Sequence, residues 1–112
     1  FSIFLNNDDR NYVEPDLSVI CNPSILDEKG CHGAPDWIIE IVSPSSERMD
    51  YVVKTFKYRT AGVREYWVID KTLQKVTVFD FENDNMFEYD FTQKIPVLIY
   101  DGELEIDLSR FI

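Results

Sequence analysis

The 112-residue chain is short of the residues that many catalytic arrangements need. His32 is its single histidine, so neither a Ser-His-Asp nor a Cys-His arrangement finds support. Its four glycines are scattered, which excludes a glycine-rich loop that cradles phosphates. No apolar run approaches the roughly 20 residues of a membrane-spanning helix, and no signal-peptide pattern is present. Cys21 and Cys31 could pair in a secreted protein. Without a secretion signal they read as free, buried thiols, and the expected location is the cytoplasm. Together with His32 they lack the paired ligand spacing of a zinc site. Bases are also scarce, with 11 Lys and Arg against 21 Asp and Glu and a formal net charge of −10. Such a balance opposes long-range attraction of nucleic acid. The deficit is uneven: residues 1–79 hold 12 acids and 9 bases, while residues 80–112 hold 9 acids and 2 bases. Five of the bases (Arg48, Lys54, Lys57, Arg59, Arg64) lie in the central segment.

What is present describes a folded domain. With 45% hydrophobic and 14% aromatic residues, the chain can bury a core, and its length suits one domain spanning residues 1–112. It opens with Phe1-Ser-Ile-Phe-Leu5, which reads as strand interior, so an N-terminal portion is expected upstream. Val13 to Cys21 has strand character, and Pro15 suggests an edge or a strand start. Residues 22–33 read as a loop with room for one helical turn. Trp37 to Val42 is an apolar run interrupted only by Glu40, the pattern of a strand covered on both faces. Ser43-Pro-Ser-Ser46 supplies a break and a helix N-cap. Met49, Val52, Val53, Phe56 and Thr60 follow at helical spacing, and Gly62 can close the helix in a left-handed conformation. Strands are expected over 65–70, 75–81 and 86–91, the last two forming a hairpin around Glu82-Asn-Asp-Asn85. Extended pieces through 95–100 and 106–112 close the chain. The fold class is α/β: a mixed sheet, one crossover helix, then antiparallel C-terminal strands.

Asp16 and Glu40 stand on two neighbouring strand-like segments that are otherwise apolar. An ionised carboxylate beside a core needs compensation, and a divalent cation is one compensator. Alternation places Asp16 opposite Val13, Leu17, Val19 and Cys21, where a plain solvent-facing role competes with a ligating one. Glu40, between Ile39 and Ile41, sits where charge is least tolerated, and an ion pair with a buried base is the competing account. Asp50, Lys54 and Tyr58 share one helix stripe that does not overlap the apolar one. An exposed Asp–Lys pair and a lysine placed beside the two acids are both compatible with that spacing.

Three strings carry a family resemblance: Glu14-Pro-Asp-Leu-Ser-Val19, Gly33-Ala-Pro-Asp-Trp-Ile-Ile-Glu-Ile-Val-Ser-Pro-Ser45, and Asp50-x-x-x-Lys54-x-x-x-Tyr58-x-x-x-Gly62-Val-Arg-Glu-Tyr-Trp-Val-Ile-Asp70. They cover residues 13–70 nearly continuously, and they resemble a large bacterial family of putative restriction endonucleases in the PD-(D/E)XK nuclease superfamily. The resemblance implies a restriction-endonuclease-like α/β/α core with a helix packed across a mixed sheet. It implies Asp16 and Glu40 as metal-ligating acids and the Ile41 carbonyl as a further ligand. Strict members place a lysine two residues after the second acid, where this chain has Val42. Lys54 on the following helix is the residue that stands in for it. The superfamily's first helix, which often carries a further Glu, would lie upstream of Phe1.

These residue types suit metal-assisted phosphodiester hydrolysis, with Mg²⁺ or Mn²⁺ as cofactor and DNA as substrate. Catalytic roles fall to Asp16, Glu40 and Lys54, and metal ligation to Asp16, Glu40 and Ile41. A nuclease-derived binding or assembly module without turnover is the alternative, motivated by the acidic balance and by Val42. In that case Phe79, Phe81, Phe87, Tyr89 and Phe91 would form a partner surface, a homodimer being expected. The plainer account makes them the second face of the core.

Overall fold

A computed structural model describes residues 3–5, 16–42 and 48–112, with the side chains of Phe4 and residues 48–52 outside that description. The strands, in chain order, are β1 (Ile3–Phe4), β2 (Leu17–Val19), β3 (Leu26–Asp27), β4 (Gly30–His32) and β5 (Trp37–Val42). After the helix α1 (Arg48–Ala61) come β6 (Glu65–Asp70), β7 (Lys75–Asp80), β8 (Asn85–Asp90), β9 (Lys94–Pro96) and β10 (Glu105–Asp107). The main sheet has the order β2-β5-β6-β7-β8. β5 and β6 run parallel, joined through α1, and every other pairing in it is antiparallel.

Period-two alternation along the central strands feeds two cores, one on each face of this sheet. Trp37, Ile39, Trp67, Val76 and Val78 point to one face, where Phe91, Ile95 and Val97 cover them with Leu98, Ile99, Ile106 and Leu108. Ile38, Tyr66 and Val68 point to the other, beneath Tyr58 of α1 and Val63. Continuous apolar runs in β5 and β6 follow from this two-sided burial. Trp37 and Trp67 meet edge-on at 5.0 Å in the first core. In the second, Tyr66 stacks on Phe79 and Phe81.

Gly62 ends α1 at φ +98. The Gly62 N–H donates to the Arg59 carbonyl and the Val63 N–H to the Tyr58 carbonyl, at 3.3 and 3.1 Å. That is the Schellman pattern, and its accompanying apolar contact is Tyr58 with Val63. The helix end therefore anchors Tyr58 in the core, one turn beyond Lys54.

Several expectations differ from the structure. Residues 22–33 hold, besides a 3₁₀ turn at Pro23–Ile25, the β3–β4 hairpin, and β4 pairs in parallel with β1. Strands of two or three residues are too short to show a period, and β4 also depends on a partner distant in sequence. Cys31 is buried but Cys21 is exposed, because the chain has left the sheet after Val19. Of the apolar helix stripe, Val53 is 57% and Phe56 72% exposed, whereas Tyr58, outside that stripe, is 0% exposed. The proposed N-cap at 43–46 and the strand start at 13–15 lie outside the described residues. Of the five C-terminal aromatics, Phe79, Phe81, Tyr89 and Phe91 pack in or against the two cores, and Phe87 is exposed. Among the described residues no helix is long and apolar enough to cross a membrane.

Candidate functional site

The antiparallel register pairs Leu17 with Ile39 and Ser18 with Ile38. One step further along this register, Asp16 falls opposite Glu40. Residues opposed in this way present their side chains to the same face, with Cβ atoms about 5 Å apart. For Glu40 that face is the one beneath α1, where only 6% of the residue is exposed.

Two consecutive turns of α1 meet the Glu40 carboxylate. The Lys54 ammonium donates to Oε2 at 3.3 Å and the Tyr58 hydroxyl to Oε1 at 3.1 Å. Burial pushes the Glu40 carboxyl above its ordinary value, and the nearby charge of Asp16 pushes the same way. Lys54 and the Tyr58 hydroxyl pull it back without cancelling the effect of burial.

Asp16 is exposed, and its Oδ2 accepts the backbone N–H of Ile41 at 2.7 Å. The direction of that N–H also locates the Ile41 carbonyl. The Val42 carbonyl accepts from the Lys71 N–H and so faces β6. Backbone groups of successive strand residues point to alternate sides, which turns both polar groups of Ile41 toward Asp16.

The structure thus brings together Asp16, Glu40, Lys54 and the backbone of Ile41. The Asp50 side chain lies outside the described residues. Val42, where strict members carry lysine, packs against the helix-side core. Among the described residues no cluster of three or more His, Cys, Asp and Glu is found. Two carboxylates plus one carbonyl fit Mg²⁺ or Mn²⁺, which bind through few protein oxygens and keep several waters. Two acids opposed at one sheet edge, one of them desolvated, also supply the charge imbalance that a cation relieves.

The sequence profile of the Uma2 family, described as putative restriction endonucleases, matches residues 2–108. The chain belongs to this family. Among solved structures it is similar to a putative nuclease belonging to DUF820 from Anabaena variabilis, at 25% identity and a TM-score of 0.69. The alignment covers 96% of this chain and 65% of that one, so the chain spans less than two thirds of the relative's length. No curated protein matches it. The mixed five-stranded sheet with its one helix is therefore a restriction-endonuclease-like α/β fold, as the residue patterns of this Uma2 chain imply.

Two buried acids outside this site escape a search for functional carboxylates. Glu65, 1% exposed, accepts the Trp67 indole N–H at 2.6 Å and the Leu98 and Ile99 backbone N–H groups at 3.2 and 3.0 Å. It ties the C-terminal segment to the sheet on the face away from α1. Asp80 accepts from the backbone and side chain of Asn83 and closes the β7–β8 turn. A lone acid in an apolar strand flags Glu65 as readily as Glu40, and only the donors around each tell them apart.

Proposed function

We propose that this chain is a metal-dependent endonuclease domain that hydrolyses DNA phosphodiester bonds, using Asp16, Glu40 and the Ile41 carbonyl to hold Mg²⁺ or Mn²⁺. The observation that carries the reading is the convergence of Asp16, Glu40 and Lys54 from three separate elements, in a family described as putative restriction endonucleases. When bound, the cation would activate a water and neutralise charge developing on the phosphate.

The chain's own residues have distinct parts in this reading. Asp16, exposed at the sheet edge, keeps its second carboxylate oxygen available while Oδ2 is held by Ile41. Glu40 brings a buried and therefore poorly hydrated charge, which gains more from a cation than an exposed one does. Lys54 is a compact cation on a flexible stem, able to turn from Glu40 to a phosphate oxygen. Val42 takes no part beyond packing.

The test is conversion of supercoiled plasmid in Mg²⁺ or Mn²⁺, with Asp16→Ala and Glu40→Ala as controls. Nicking that both substitutions abolish supports the reading. Nicking that survives them, or none above the controls, defeats it.

A second reading, a nuclease-like binding or assembly module without turnover, is favoured by how the bases are used. Arg59 pairs with Asp84, and Arg64 pairs with Asp36 and Glu82, on a chain whose 21 acids outnumber its 11 bases. Calorimetry separates the two. A module of this kind gives no Mg²⁺ or Mn²⁺ heat that Glu40→Gln removes.

A further inference from the structure

We infer that Tyr58 is a positioning residue that fixes which oxygen of Glu40 faces the cation, and that it thereby sets the preference for a small octahedral ion over Ca²⁺. This rests on the metal-dependent reading above and assigns a role to a side chain outside the ligand set.

The Tyr58 ring is completely buried and stands edge-on to Tyr66 at 5.0 Å. The Schellman turn at Gly62 fixes the backbone on one side of it. A phenol on an immobile ring is a donor of fixed position. It donates to Oε1 of Glu40, while Lys54, on a longer and partly exposed stem, donates to Oε2. The two donors differ in how readily they yield. An ammonium on four rotatable carbons can turn aside, whereas the hydroxyl cannot move without displacing a core ring. Oε2 is therefore the oxygen that can exchange its partner, and Oε1 stays committed to Tyr58.

A carboxylate held in this way offers one oxygen. Mg²⁺ and Mn²⁺ accept single oxygens in octahedral sets. Ca²⁺ tolerates, and often uses, both oxygens of one carboxylate in a larger and looser shell. Removing the hydroxyl without removing the ring releases Oε1 and lets Glu40 rotate.

The experiment is titration calorimetry of the wild-type protein and Tyr58→Phe with Mg²⁺, Mn²⁺ and Ca²⁺, with thermal melts to verify that the ring still packs. Tyr58→Phe is expected to weaken Mn²⁺ and Mg²⁺ binding roughly tenfold, the lower end of what groups hydrogen-bonded to a metal ligand contribute, and to hold or strengthen Ca²⁺. The Mn²⁺/Ca²⁺ affinity ratio then falls by at least that factor, a change that general loosening of the core does not produce. An unchanged ratio in Tyr58→Phe, when Glu40→Gln abolishes binding, overturns the inference and leaves the metal-dependent reading standing. Metal binding that survives Glu40→Gln defeats both.

Discussion

The Asp16 carboxylate accepts the backbone N–H of Ile41 at 2.7 Å, so the acid on the edge strand is fastened to the residue next to the acid on its neighbour. The bond does two jobs. It gives the Ile41 N–H an acceptor beyond the last paired residues of β2 and β5, and it fixes the spacing of the two carboxylates.

These jobs separate by substitution. Asp16→Asn keeps an acceptor for the Ile41 N–H and removes the charge. It should unfold in urea within about 0.5 kcal/mol of wild type and lose its Mn²⁺ heat in calorimetry. Asp16→Ala removes the acceptor as well and should cost about 1 kcal/mol more.

Lys54→Met tests the stand-in lysine. In plasmid assays the substitution should lower nicking by roughly a hundredfold or more, the scale of losing one electrostatic donor to a transition state. Mn²⁺ binding should persist, because Lys54 contributes no ligand. Loss of metal binding together with activity would instead make Lys54 a prop for Glu40.

Phe56→Ser and Tyr58→Ala form a pair. The first removes an exposed ring and should change stability by no more than about 0.5 kcal/mol. The second empties a packed site and should cost about 3 kcal/mol or more. Urea unfolding of the two variants measures the difference directly.

That contrast also shows what could be read from residues alone. β5 and β6 were legible, because two-sided burial writes itself as a near-continuous apolar run, broken by Glu40 in β5 and bounded by Glu65 and Asp70 in β6. The existence of α1 was legible from Gly62 and the spacing of Met49 through Thr60. Its buried face was not, because Val53 and Phe56 carry the apolar signal while the sheet beneath presents Glu40, which calls for donors. Tyr58 meets both demands, with an apolar ring and a polar tip. Asp16 was legible as a partner of Glu40 from the neighbouring strand-like segments and the family resemblance, but the register that sets them opposite each other was not, since the pairing of β2 with β5 is a tertiary fact. Glu65 shows the converse hazard. Its strand context matches that of Glu40, yet its oxygens are taken by Trp67, Leu98 and Ile99.

Glu65→Ala should accordingly be among the most damaging substitutions on the face away from α1. One buried and two half-buried donors lose their acceptor at once, a loss of about 3 kcal/mol, and Trp67 fluorescence should report the change.

Asp36 contributes to the acid limb. Burial alone would raise its carboxyl, but the Cys21 backbone N–H and the Arg64 guanidinium outweigh burial and hold it below the ordinary range. A value lowered by folding gives stability that is present above the unfolded value and lost as pH falls through the folded one. Stability should therefore decline below about pH 4, and Asp36→Asn should flatten that decline in urea unfolding measured across pH.

Anomalous diffraction from crystals grown in Mn²⁺ tests the central claim most directly. The account predicts one strong peak, roughly 2.1 Å from carboxylate oxygens of Asp16 and Glu40 and from the Ile41 carbonyl. A peak elsewhere on the chain, or none at Mn²⁺ concentrations that support nicking, would contradict it.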